Sequence, residues 1–475
     1  MTLHRIGADT VELLWADLDE REALLRRVIS DVLAETPPPA VDDAITATYF
    51  LALRSQSLAA FAEEIAYHAT SGTRHPPAGS LLAECTGWAS GVVPFDSTGR
   101  IGLLHMAYPL KMLCQPDGHV TSTDILHTVA GAIIFDVCEG QDARLVALDI
   151  PPRVLRTFPG PALGAAGFRS HVRLEAGRPA FGTILKPTAG LVPTQERDLV
   201  AEIAAVDLFS FVKEDENLYP NLPYCPLAER TRVAIEAVER QRPGRSDTLL
   251  FAPHVTAAPG ELIANVDTAR GAGARGVMFS ESWALGGVRM VRDHLAASGE
   301  PVAIYGHNAG IGVRTRAIWR EVVDLLARLD GIDFRQTAPV LPGPPFLRPS
   351  GAEWRASEAI LTAPLEGIRP TTIVRAGGLD QGNIGLNLRD AEDRGILDQV
   401  LFLAGSAINS IKSPSGRPDP RLGAQAMMEA LDVHRTGVLA EVPASDHTRA
   451  LMAVARDRRL EALMQALEQR YPSLH

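Results

Sequence analysis

Between about Phe181 and Leu431, an apolar strand, a loop and a helix recur eight times, and this repeat restricts the fold more than any other feature. The helices, of which Arg316–Leu329 is one, carry apolar residues three and four positions apart. Eight such units predict a (β/α)8, or TIM, barrel of the α/β class. The predicted strands are Phe181–Lys186, Leu208–Lys213, Thr248–His254, Gly276–Ser280, Val302–His307, Ile332–Gln336, Thr372–Ala376 and Val400–Ala404.

A chain of 475 residues exceeds the usual size of one domain, and the sequence divides into four predicted segments. A proline run at 37–39 ends a predicted N-terminal helix, Val11–Ala34, and marks a linker. In the tail, Ser445–Tyr471 is predicted as a single charged helix. The segments are a helical extension at 1–44, a smaller α+β (ferredoxin-like) cap domain at 45–160, the barrel at 161–440 and a helical tail at 441–475.

Charge and hydropathy exclude several classes of protein. Lysine and arginine total 46 against 57 acidic residues, and the net charge of −11 argues against a general surface for nucleic acid or anionic membranes. No apolar run approaches the length of a membrane span, and Met1–Thr10 lacks the features of a signal peptide, so a cytoplasmic location is expected. The four cysteines have no C-x-x-C spacing, so neither a disulfide framework nor a zinc site is indicated.

A charged motif, Phe211 to Asn217, stands at the end of the second predicted strand. Lys213 and Asp215 are two residues apart and therefore point to the same face, and Glu216 begins the following loop. A neutral lysine can take up CO2 as a carbamate, whose oxygens behave like those of a carboxylate. Three oxygen donors of this kind suit octahedral Mg2+. The alternative is a solvated salt bridge in which the acids merely neutralise Lys213.

Glycines follow the last two predicted strands, at the barrel end where active sites of this fold lie. Backbone N–H groups at Gly377 and Gly378, and at Gly405 and Ser406, predict a pocket for one phosphate of a small substrate. The alternative is that these glycines only make tight turns.

Two segments in sequence order then carry a resemblance. Gly182 to Pro187 reads G-T-I-L-K-P and Phe211 to Asn217 reads F-V-K-E-D-E-N. Together they resemble the large chain of ribulose-bisphosphate carboxylase (RuBisCO), and more particularly its non-carboxylating relatives, the RuBisCO-like proteins of form IV. The similarity extends from about Ile45 to Leu431 and includes Phe158 to Pro161.

The resemblance implies roles for further residues. His307 matches the catalytic histidine of strand five. The alternative is that His307 has no catalytic role and only makes hydrogen bonds within the protein. Lys186 is the leading acid or base, because a divalent cation nearby can lower the pKa of a lysine. His254, on strand three, stands where the family usually has an asparagine, and we expect it to contact the substrate. The segment ending at Thr73 resembles the one that reaches the neighbouring subunit's site, which implies a homodimer or an assembly of dimers; a competing alignment uses Glu84 to Trp88 instead.

Departures from the family pattern argue against carbon fixation. Asn308 replaces a phosphate-binding arginine, Gln336 a histidine, Ala376 a serine and Thr188 a lysine. The loop after strand six, from Thr337 to Leu347, contains no lysine, whereas the carboxylases hold the new carboxylate with one.

We therefore expect a Mg2+-dependent enzyme that forms an enediolate from a phosphorylated keto sugar or sugar acid, with CO2 bound as a carbamate on Lys213. A decarboxylase or a transcarboxylase/hydrolase is favoured. One alternative is an enolase or isomerase of a ketose 1-phosphate, of the methylthio-sugar type. Another, from a different class, is a catalytically silent binding or regulatory barrel.

Overall fold

A computed structural model describes residues 8–116, 118–136, 140–297, 299, 301–341 and 351–474. These residues form two compact units. Unit 1 contains the described residues up to Val120, then Asp124–Val154 and Arg316–Val322. Unit 2 contains Thr121–Thr123, Leu155–Thr315 and the described residues from Val323 onwards. In the described part of the chain, no helix is both long enough and apolar enough to cross a membrane.

Unit 1 is built on a four-stranded antiparallel sheet. Its central strand, Ala44–Leu53, is rich in β-branched and aromatic residues and is almost wholly buried. This sheet and its helices confirm the predicted α+β fold. In spatial order the strands are Trp88–Pro94, Ile101–Pro109, Ala44–Leu53 and Gly140–Asp149. The helices begin with Ala8–Glu35, Leu58–His68, Leu81–Glu84, Leu110–Leu113 and Ser122–Asp136.

The Ala8–Glu35 helix packs on the sheet of unit 1. Its Ile29 joins a buried cluster that also includes Phe50 and Trp319. Arg26 stacks its guanidinium 4.4 Å from the centre of the Trp319 ring and pairs with Glu321. The helix therefore covers apolar surface that the strands would otherwise expose.

Unit 2 contains the barrel. Its eight strands are parallel, and the ring closes where Met278 N donates to Pro253 O at 2.9 Å and Val255 N donates to Met278 O at 2.9 Å. The predicted (β/α)8 barrel is confirmed. In order, barrel strands one to eight are Ala180–Ile184, Phe209–Lys213, Leu250–Ala252, Gly276–Phe279, Ala303–Gly306, Phe334–Thr337, Thr372–Ala376 and Val400–Ala404. The principal helices between and after them are Pro193–Ala204, Leu227–Gln241, Pro259–Gly271, Gly287–Ala296, Arg320–Asp330, Gly351–Thr362, Ile384–Asp393 and Pro420–Arg435.

Two predicted helices differ in the structure. The helix predicted from Arg316 begins at Arg320, because Leu145 N donates to Ala317 O and Trp319 N donates to Leu145 O, both at 2.8 Å. The prediction of a single helix in the tail is wrong, because His447–Asp457 and Glu461–Arg470 are separate helices. They are divided at Arg459, whose φ of 55° is a left-handed conformation that ends a helix.

Asp333, fully buried just before strand six, connects elements at the amino-terminal end of the barrel. One of its oxygens accepts from the backbone N–H groups of Leu163 and Gly164, at 2.7 and 3.1 Å. The other accepts from Ile304 N at 2.8 Å and from the Arg292 guanidinium at 2.6 Å. One carboxylate thus joins two strands and the helix that begins at Gly164.

Replacing Asp333 by alanine should lower the free energy of unfolding by about 3–5 kcal/mol, because it leaves the buried Arg292 without its carboxylate partner and three backbone N–H groups without an acceptor. Denaturant midpoints measure the loss. The matched control is Asp432→Ala, which removes the exposed Arg435–Asp432 pair and should cost about 0–1 kcal/mol. Equal effects of the two substitutions would contradict the assigned role.

Candidate active site

Lys213 is the last residue of barrel strand two and is completely buried. Its Nζ donates to the carbonyl of Glu214 at 2.9 Å and lies 3.9 Å from an oxygen of Glu216. The ring of Tyr305, on strand five, is 5.6 Å away. Burial lowers the pKa of the Lys213 amine to about 8, although the neighbouring carboxylates oppose this shift.

Asp215 is held from both sides. One of its oxygens pairs with the Lys186 amine, which extends from the loop after strand one. The other accepts from the backbone and side-chain nitrogens of Asn217, at 3.1 and 2.9 Å. Burial acts to raise the pKa of Asp215, but these hydrogen bonds and the charge of Lys186 outweigh it and the net shift is downward.

His307, after strand five, lies 3.3 Å from Glu216 through its Nε2. Its Nδ1 accepts from the backbone N–H of Ala309 at 3.1 Å. Burial, assisted by the charge of Lys213, holds the pKa of His307 well below its usual range. The imidazole is therefore neutral near pH 7, and because Nδ1 accepts from Ala309, its proton is on Nε2, the nitrogen nearer to Glu216.

The structure thus brings together five residues that the sequence analysis selected: Lys186, Lys213, Asp215, Glu216 and His307. They come from three different strand ends of one barrel. The chain has four lysines in total, and two of them are in this group.

His254 is beside this group, but its ring is committed to the protein. Nδ1 donates to the carbonyl of Leu218 at 3.0 Å, and Nε2 accepts from the Thr256 hydroxyl at 2.5 Å. Burial lowers its pKa to about 4. The predicted substrate contact through this ring receives no support from the geometry, which instead ties His254 to the loop after strand two.

The sequence analysis did not assign a role to the pair formed by Glu214 and Arg230. Both side chains are fully buried, and the guanidinium binds both carboxylate oxygens at 2.9 Å. Arg230 also donates to the carbonyls of Tyr219 and Cys225, at 3.0 and 2.8 Å. One arginine therefore fixes the whole loop that carries the acids.

A signal for Arg230 was present in the sequence. It is three residues after Leu227 and four before Ala234, so it falls on the buried face of the Leu227–Gln241 helix. An arginine among apolar residues on such a face indicates a buried carboxylate nearby.

Gly377 and Gly378 follow strand seven with φ of 91° and 96°, a region that strongly favours glycine. The Asn383 side chain donates to the carbonyl of Gly378 at 2.8 Å. Gly405 follows strand eight, and the Asn409 side chain donates to its carbonyl at 3.1 Å. Both predicted phosphate-binding turns are thus held by asparagines, and Gly378 and Ser406 are exposed.

Comparison with known sequences is consistent with this geometry. Residues 169–342 match the family profile of the ribulose bisphosphate carboxylase large chain, catalytic domain. A 3-oxo-isoapionate-4-phosphate transcarboxylase/hydrolase from Xanthobacter autotrophicus is 32% identical over 219 residues, which are 44% of this chain and 50% of that protein. The chain therefore spans half the length of that relative. A 3-oxo-isoapionate-4-phosphate decarboxylase from Rhizobium etli is 26% identical over 357 residues, 74% of this chain and 80% of that protein.

The barrel and the antiparallel sheet also occur in a solved structure. The octameric ribulose-1,5-bisphosphate carboxylase/oxygenase of Pyrococcus horikoshii has a TM-score of 0.75 at 21% identity, over 92% of this chain and 97% of that chain, which shows a common fold. Over residues 169–342 the chain is therefore similar to the catalytic domain of the RuBisCO large chain.

The surface after strands five and six departs from the pattern that the RuBisCO resemblance implies. The Asn308 side chain donates to the carbonyl of Gln336 at 3.0 Å, and the Tyr305 hydroxyl donates to the Gln336 side chain at 3.3 Å. Uncharged amides therefore stand where the superfamily resemblance would give an arginine and a histidine. Ala376, fully buried at the end of strand seven, offers no hydroxyl.

Two further predictions from the sequence remain predictions. Thr73 is a half-buried residue of unit 1, and its contact with a substrate is untested. Residues 342–347 of the lysine-free loop lie outside the described residues.

The burial of neutral His254 predicts a pH dependence of stability. Its folded pKa of about 4 is below the ordinary value of about 6.5, so the unfolded chain takes up the proton first. Stability should fall as the pH drops from about 6.5 to 4, by about 3 kcal/mol from this residue. Denaturant titrations should show a loss smaller by that amount in His254→Asn, and parallel profiles for the two proteins would contradict the assignment.

Proposed function

We propose that this chain is a Mg2+-dependent enzyme of lyase or isomerase type that forms an enediolate from a phosphorylated keto sugar acid. We favour a decarboxylase or a transcarboxylase/hydrolase over a CO2-fixing carboxylase. The observation that carries the proposal is the convergence of the five rim residues: Lys186, Lys213, Asp215, Glu216 and His307. The names of the two relatives, both of which refer to 3-oxo-isoapionate 4-phosphate, support the choice of substrate class.

The residues fit a magnesium ion held in part by a carbamate. Asp215 and Glu216 offer the oxygen ligands that Mg2+ prefers. Among the residues that the structure describes, no three His, Cys, Asp or Glu side chains form a group able to hold a metal ion. A third protein ligand would come from Lys213 once it carries CO2, and a pKa of about 8 leaves a useful fraction of its amine neutral and reactive.

The chain's own residues then divide the proton transfers. When a 3-oxo acid loses CO2, the bonding electron pair remains on the carbon next to the carbonyl, and a proton must replace the carboxylate. Mg2+, when bound, would polarise that carbonyl and stabilise the developing negative charge. Lys186, half-exposed beside Asp215, is our proton donor. His307 would donate from Nε2 to a substrate hydroxyl, since the Ala309 N–H holds its other nitrogen.

We propose one phosphate for the substrate, bound by the turns at Gly377–Gly378 and Gly405–Ser406. Backbone N–H groups at such turns bind anions without a side chain. After the neighbouring strands five and six, Asn308 and Gln336 suit hydroxyl or carboxylate groups better than a second phosphate. This asymmetry, together with the lysine-free loop after strand six, is our reason for excluding carboxylation of ribulose 1,5-bisphosphate.

We also propose a homodimer or an assembly of dimers in the cytoplasm, with Thr73 of one subunit contributing to the site of another. The octameric state of the Pyrococcus horikoshii carboxylase supports an assembly. Neither nucleic acid nor a membrane is proposed as a partner.

Lys213→Ala should lower turnover by about 10³-fold or more, because it removes both a metal ligand and the site of the carbamate. The barrel should still fold, because Lys213 lies at the carboxyl end of strand two, and circular dichroism should show an unchanged secondary structure. The exposed Lys412→Ala is the matched control and should keep full activity.

The carbamate is tested in the same proteins. Incubation with 13C-bicarbonate and Mg2+, alkylation of the adduct and peptide mapping should place the label on Lys213 among the four lysines, Lys111, Lys186, Lys213 and Lys412. A fully active protein without label on Lys213 would mean that this lysine works as a plain amine.

A second test concerns the reaction. With Mg2+ and 3-oxo-isoapionate 4-phosphate, the protein should release the carboxylate of the substrate as CO2 or bicarbonate. Chelation of the metal should stop the reaction. Ribulose 1,5-bisphosphate with 14C-bicarbonate should give no fixed label, because two lost charge-assisted phosphate contacts weaken binding by about two to four orders of magnitude. A product that retains every substrate carbon would favour the enolase or isomerase instead.

A further inference from the structure

The end of the chain binds the loop that follows barrel strand seven. The Tyr471 hydroxyl lies 2.8 Å from each carboxylate oxygen of Asp380, and Arg470 Nε donates to one of them at 2.9 Å. The Tyr471 ring also lies against Gly382, where an added Cβ would be 2.6 Å from a ring carbon. Only glycine leaves room for this ring, so the loop and the tail are fitted to each other.

Asp380 connects the tail to the glycine turn through further hydrogen bonds. Its Oδ1 accepts from the backbone N–H groups of Gly382 and Asn383, at 2.9 and 3.2 Å. The Asn383 side chain accepts from Asp380 N at 3.1 Å and donates to the Gly378 carbonyl at 2.8 Å. An unbroken series of hydrogen bonds therefore connects Tyr471 with Gly378.

The other tail helix holds the same loop. His447 Nδ1 and the Thr448 hydroxyl contact the Gly382 carbonyl, at 3.1 and 3.2 Å. Both tail helices thus converge on one short loop, and Asp380 is only 4% exposed. The tail also binds the backbone of Lys412 through Gln465 and Gln469, but only its contacts with the strand-seven loop reach the glycine turn.

We propose that Tyr471 and Arg470 are positioning residues, which act through Asp380 to hold the Gly377–Gly378 turn in its anion-binding conformation. The inference rests on the proposed function in one respect, namely that this turn binds phosphate. Two consecutive glycines lose much conformational freedom when they are ordered. Fixing them before the ligand arrives removes that cost from binding and so raises affinity.

The test uses the full chain and inorganic phosphate, whose affinity is measured by 31P NMR titration. Tyr471→Phe keeps the ring against Gly382 but removes the hydroxyl, and Arg470→Leu removes the other donor. Each should raise the phosphate Kd by about fivefold or more, a part of the effect of a charge-assisted hydrogen bond. Arg470→Lys, which retains a donor, should recover most of the affinity.

Gln469→Ala is the matched control on the same helix. Gln469 makes two hydrogen bonds to the backbone of Lys412, each 2.8 Å long, and makes neither of the Asp380 contacts. Its loss should leave the phosphate Kd unchanged. Equal weakening by Gln469→Ala and Tyr471→Phe would show general docking of the tail and overturn the inference.

Gly378→Val separates this inference from the proposed function. If Gly378→Val weakens phosphate binding while Tyr471→Phe does not, the anion site stands and the role of the tail is wrong. If the wild type binds no phosphate, or if Gly378→Val has no effect, then the proposed position of the phosphate is wrong and the inference fails with it.

Discussion

The alternation of side chains along barrel strand two separates adjacent charges onto two sides of the sheet. Lys213 and Asp215 turn to the rim, where Asp215 pairs with Lys186, whereas Glu214 turns to the helix that carries Arg230. If Glu214 shared the rim, a further negative charge would crowd the metal ligands and the loop would lose its anchor. The buried pair of Glu214 and Arg230 therefore anchors the loop that carries Asp215 and Glu216.

The same type of contact recurs after three strands of the barrel, where a buried polar side chain donates to backbone carbonyls of the following loop. Arg230 holds the loop after strand two, Asn383 the turn after strand seven and Asn409 the turn after strand eight. Loops carry unpaired backbone groups that strands do not, and each must find a partner when buried. Supplying that partner from a buried side chain also removes freedom from the loop, which is what a site for small anions requires.

Local patterns in the sequence predicted what local physics determines. Strands seven and eight were predicted with their observed ends, and the alternation at Lys213 and Asp215 predicted the meeting with Glu216. Contacts between distant segments could not be read in this way. The late start of the Arg320–Asp330 helix depends on pairing with Leu145, and the contact of Tyr471 with Asp380 joins residues about ninety positions apart. The hydrogen bonds of His254 could not be predicted either. Its place at the end of a strand did not reveal that both ring nitrogens bind groups of the protein.

The scarcity of lysine has a consequence for how the protein responds to alkali. The buried ion pairs of the barrel use arginine, as at Arg335 and Arg375, and the neighbouring carboxylates overcome burial to raise the pKa of both guanidinium groups. Burial likewise raises the pKa of Tyr305. The Lys213 amine, with a pKa of about 8, therefore loses its proton before Arg335, Arg375 or Tyr305 does. Mildly basic conditions would therefore remove the positive charge of the Lys213 amine, while the buried arginines keep their charge. Alkali would change the reactivity of the site without breaking the ion pairs that stabilise the barrel.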